Sequence, residues 1–124
     1  MRIACWLVLP LLLAAAAPSR AGEDLNKAEK LFEDMEYAKA HKAAERVLAS
    51  ALSGPAELVA AYRIQGLCLS MAGKTAEALL AFRRLLSIDP GFELSQNLSP
   101  KLTAPFYQAV AMSKNFKPIA LAHQ

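Results

Sequence analysis

Cysteine and histidine are nearly absent from this 124-residue chain, with two of each. Those shortages exclude several classes of function. Cys5 lies in an apolar N-terminal run and Cys68 stands alone beyond it, so the chain after that run can form no internal disulfide. His41 and His123 have no nucleophile or carboxylate spaced for a catalytic triad, and no Cys or His pair stands at metal-ligand spacing. Neither catalysis nor a metal or cofactor is expected, and both histidines read as solvated surface residues. Cys68 follows Leu67 in an apolar stretch and reads as a buried, inert thiol. The carboxylates Glu29, Glu33, Asp34 and Glu36, with Lys27, Lys30 and Lys39 nearby, read as a solvated face with local ion pairs.

A positive balance is also missing once the N-terminus is set aside. Arg2 opens an apolar stretch from Ile3 to Ala17 broken only by Pro10, and Ser19-Arg20-Ala21 puts small residues where a signal peptidase reads. Residues 1–21 are therefore expected to be a secretory signal cleaved after Ala21. The apolar run falls short of the roughly 20 residues that span a bilayer, so no membrane span is expected after cleavage. Cys5 is too close to the start to be a lipoprotein acceptor. Without residues 1–21 the formal charge of +3 shrinks to 12 basic against 11 acidic side chains, and no basic cluster suggests nucleic-acid binding.

What the chain does contain is helical periodicity. Leu25, Ala28, Leu31, Phe32 and Met35 recur at three- and four-residue spacing, predicting a helix from Glu23 to Met35. A second is expected from about Tyr37 to Leu52, with Ala40, Ala43, Ala44, Val47 and Leu48 on one stripe. Ser53-Gly54-Pro55 ends it and starts the next. The third, about Ala56 to Met71, is apolar around much of its circumference and should be the most buried. Ala72-Gly73-Lys74 turns the chain into a fourth helix, about Thr75 to Ile88, with Thr75 as its N-cap and Asp89-Pro90-Gly91 as its stop. Phe92, Leu94 and Leu98 suggest an extended strap, and Ser99-Pro100 the cap and first turn of a fifth helix. Pro105 implies that this helix starts near Thr103 or is kinked at its entrance.

A shift of 38 residues superposes Ala28 on Gly66, Leu31 on Leu69, Ala40 on Ala78 and Val47 on Leu85. In the second copy, Gly66 and Ala78 supply small residues where two helices cross, Tyr62 and Phe82 fill the space beside them, and Pro90 follows the stop. With Leu69, these residues resemble the signature of the tetratricopeptide repeat, whose period is about 34 residues. In the first copy Asp24 stands where the large aromatic should be and Ala44 where Phe82 sits, marking a terminal repeat. The resemblance implies an all-α fold of two antiparallel hairpins plus a C-terminal capping helix. Residues 22–115 would form this solenoid domain and 116–124 a terminal stub.

The resemblance also implies a role. First helices of such hairpins line a concave groove that holds an extended peptide or a partner helix. Carried over, the groove comprises Leu25, Glu29 and Phe32 in the first copy, and Arg63, Leu67, Ser70 and Met71 in the second. Members that clamp a terminal carboxylate place an asparagine one turn after the basic residue. Leu67 stands there, so that chemistry is not expected. The reading is a non-enzymatic exported adaptor for a protein or peptide partner, in the periplasm or envelope of a Gram-negative bacterium. The alternative is the docking or sensing portion of a larger envelope protein with a β-rich module.

Overall fold

Helical spacing in the sequence translates directly into five helices among the described residues. The computed structural model describes the backbone of residues 20–122 and the side chains of residues 22–114. Among the described residues every regular element is an α-helix: α1 (Arg20–Glu33), α2 (Tyr37–Ala49), α3 (Pro55–Met71), α4 (Thr75–Ile88) and α5 (Pro100–Ala122). The expected signal lies outside them, apart from Arg20 and Ala21 in the first turn of α1.

The turns show why the hairpins form. At the end of α1, Met35 adopts a positive φ of 63°. Its N–H donates to Phe32 O at 3.0 Å, and that of Glu36 to Leu31 O at 2.9 Å. At the end of α3, Gly73 has φ 80°. Its N–H donates to Ser70 O at 3.1 Å, and that of Lys74 to Leu69 O at 2.9 Å. Both are left-handed helix terminators that satisfy the last carbonyls, and the 38-residue shift carries one onto the other atom for atom. Met35, expected on the inner stripe, is instead 72% exposed because the chain has already left the helix.

Other boundaries follow local bonding. α2 stops three residues before the expected Leu52: Ser50 turns extended, and Ser53 Oγ donates to Val47 O at 2.6 Å. Leu52 is left exposed. α3 is capped from inside, with Gly54 N–H donating to Glu57 Oε1 at 2.9 Å. The N-cap of α4 is Lys74 rather than Thr75, and no side chain caps it. α5 starts at Pro100, and Pro105 sits buried within it. Its missing N–H falls close behind the first-turn donors that no helix satisfies internally. The helix also continues to Ala122, through most of the expected stub.

Each helix packs on the next, and α1 with α3 and α3 with α5 make secondary contacts. One buried cluster, holding Ala28, Ala40, Ala43, Ala44, Val47, Ala61, Ile64 and Cys68, joins α1 and α2 to α3. Its alanines let the first hairpin close tightly on little side-chain volume. The other cluster is larger in volume, built on Leu67, Phe82, Leu85, Leu94 and Phe106. There Gly66 allows α4 to approach: a Cβ at that position would lie 2.5 Å from Phe82 Cζ.

α5 packs against α4 and, more lightly, against α3. A shift of 41 residues carries Ala61, Ile64 and Cys68, buried toward α2, onto Leu102, Pro105 and Ala109, which are also buried. Phe106 meets Phe82 edge-on at 5.4 Å, and Tyr107 stacks edge-on beside it while remaining 54% exposed. The strap between α4 and α5 anchors on buried Leu94 and half-buried Phe92 and Leu98. Phe92 lies edge-on to Phe106 at 6.1 Å.

Candidate functional site

Four of the seven expected groove residues come together on the α1–α3 face. Glu29 Oε1 accepts a hydrogen bond from Arg63 Nη2 at 2.5 Å, tying α1 to α3 across 34 residues of chain. Their side chains are 38% and 24% exposed, enough shelter to hold the pair more firmly than an open surface bridge. Leu25 is half-buried against the first cluster. Phe32 touches both clusters and meets Tyr37 edge-on at 5.4 Å. Half-buried Val59 and Tyr62 of α3 pack instead on the second cluster. The face therefore offers an apolar strip beside an internally neutralised ion pair.

The other three residues do not line it. Leu67 is fully buried in the cluster that includes Phe82 and Phe106, although it lies one turn beyond Arg63. Leu102 and Phe106 of α5, the expected capping helix, complete that cluster. Ser70 is 4% exposed, and its Oγ has no hydrogen-bond partner within the protein. Met71 stands eight residues past Arg63, about 80° round the helix, and so faces α2. It lines a cleft of about 420 Å³ with Tyr37, His41, Cys68, Leu69, Ala72 and charged residues of α2 and α4.

Comparison of the chain with family models, curated proteins and solved structures found no match.

The site is therefore read from its own geometry. Sequence reasoning placed His41 in solvent, yet its side chain is only 26% exposed. Its Nε2 lies 3.4 Å from Glu45 Oε2, and its Nδ1 is buried without a partner within the protein. The spacing of Tyr37, His41 and Glu45, four residues apart, was the available signal that they share a face. Cys68 is 4% exposed, and burial pushes its thiol up to about 12, with Arg63 pulling weakly the other way. At neutral pH it is a small hydrophobic filler rather than a nucleophile. Among the described residues, no three His, Cys, Asp or Glu side chains gather to hold a metal. Within the same residues no helix is long and apolar enough to cross a membrane.

Two expected ion pairs form at the surface. Lys39 meets Glu36 at 3.0 Å and Lys30 meets Asp34 at 3.8 Å, each largely exposed. Such pairs add little stability. The Asp24 to Arg46 contact at 3.8 Å joins α1 to α2, a long-range link that helical spacing alone does not reveal.

Proposed function

We propose that this chain is an exported, non-enzymatic scaffold of the tetratricopeptide type, which holds a protein or peptide partner along the face shared by α1 and α3. The observation that carries the reading is the pair of equivalent hairpin turns at Met35 and Gly73. The same loop geometry at a fixed interval, followed by a helix stacked as α3 is stacked, is the behaviour of a repeat array in which each unit contacts its neighbours. Such arrays present one side chain set from each first helix to a common face. Leu25 and Phe32 supply apolar contact there. The Glu29–Arg63 pair supplies fixed donors and acceptors for a partner's main chain. The signal-like residues 1–21 support export, and the compartment proposed for the scaffold is the periplasm or envelope of a Gram-negative bacterium.

Photocrosslinking in cells tests the binding face. A photoreactive amino acid at Asn26 or Glu33, exposed positions beside Leu25 and Phe32, should yield an adduct of one defined mass, while the same residue at Lys39 on α2 should yield none. Exchanging the ion pair by Glu29→Arg with Arg63→Glu should keep the helical circular dichroism and remove the adduct. Absence of any adduct from the α1 positions, or equal adducts from all three, would overturn the reading. The export claim is read separately: intact mass of envelope material should begin at Gly22, and retention of Met1 refutes it.

A further inference from the structure

We draw no further inference here: the strongest candidate, the cleft of about 420 Å³ between α2 and the α3–α4 turn, is rimmed by Lys42 and Lys74 against Glu45 and Glu77, so its charges select no class of ligand, and nothing in the structure shows what covers its apolar floor.

Discussion

Adding one methyl group at Gly66 sets two effects of opposite sign against each other. Alanine is favoured over glycine in a helix interior by about 1 kcal/mol, and position 66 is interior to α3. Against this, the new Cβ would lie 2.5, 2.6 and 2.9 Å from Cζ, Cε1 and Cδ1 of Phe82. Ordinary carbon contacts sit at roughly 3.5 to 4.0 Å, so the ring or the whole of α4 must retreat by about 1 Å. The ring has little freedom to do so, since Phe82 is fully buried and Phe106 abuts it at 5.4 Å. Overpacking costs roughly 1 to 3 kcal/mol, and a clash with three ring atoms belongs at the upper end. The net loss for Gly66→Ala is therefore about 2 kcal/mol. For a domain of this size that lowers the melting temperature by about 8 to 16 °C. Thermal and urea unfolding should both show it. Trimming the ring with Phe82→Leu should cost less in the Gly66→Ala background than in the parent, giving a coupling of about 1 kcal/mol or more in a double-mutant cycle. If Gly66→Ala melts at or above the parent, α4 does not approach α3 as described and the register of the second hairpin is wrong.

The two turns predict a reciprocal pair: Met35→Gly should stabilise by about 1 kcal/mol by relieving a left-handed backbone, and Gly73→Met should cost about as much. Equal melting temperatures for Met35→Gly and the parent would refute the assignment of strain. Phe82→Ala, which empties one of the two fully buried phenylalanines of the second cluster, should cost about 3 to 5 kcal/mol by urea unfolding. Cys68 should alkylate slowly in native protein and rapidly in denaturant, and equal rates would show it exposed. Because its thiol is held protonated to about 12 in the fold, the unfolded chain loses that proton first as pH rises. Stability relative to Cys68→Ala should thus be flat at neutral pH and fall above pH 9, by at most about 1.4 kcal/mol per unit.

Local signals in the sequence were strong where one residue type settles the geometry. Gly54-Pro55 placed the start of α3, Gly73 placed its end, and the small and large residues Gly66 and Phe82 meet as their spacing requires. The end of α2 at Ser50 was not legible, because it goes with a local hydrogen bond from Ser53 Oγ to Val47 O, and Thr75 was misread as a cap because α4 starts from Lys74 with no side-chain cap at all. The face shared by α1 and α3 was half legible. Glu29 and Arg63 sit on the expected side, but nothing in their spacing indicates that they satisfy each other. Leu67 is buried rather than lining a groove because periodicity tells which stripe a residue occupies, whereas cover by α5 depends on contacts far along the chain, such as Leu102 and Phe106. Met35 was misassigned for a related reason. A stripe of apolar residues does not announce the residue at which the helix ends.

The position of Tyr107 bears on how closely another element can lie against α5. The 41-residue shift that aligns the buried faces of α3 and α5 carries Gly66 onto Tyr107, and Leu69 onto Val110. A further helix laid against α5 in the manner of α4 against α3 would need its aromatic filler to enter the volume that the phenol ring already holds. The strap lies there instead, with Leu94 and Phe92 facing a shallow cleft lined by Phe106, Tyr107 and Val110. Where glycine at position 66 lets Phe82 come close to α3, a phenol ring at the matching position of α5 keeps any neighbour at a distance.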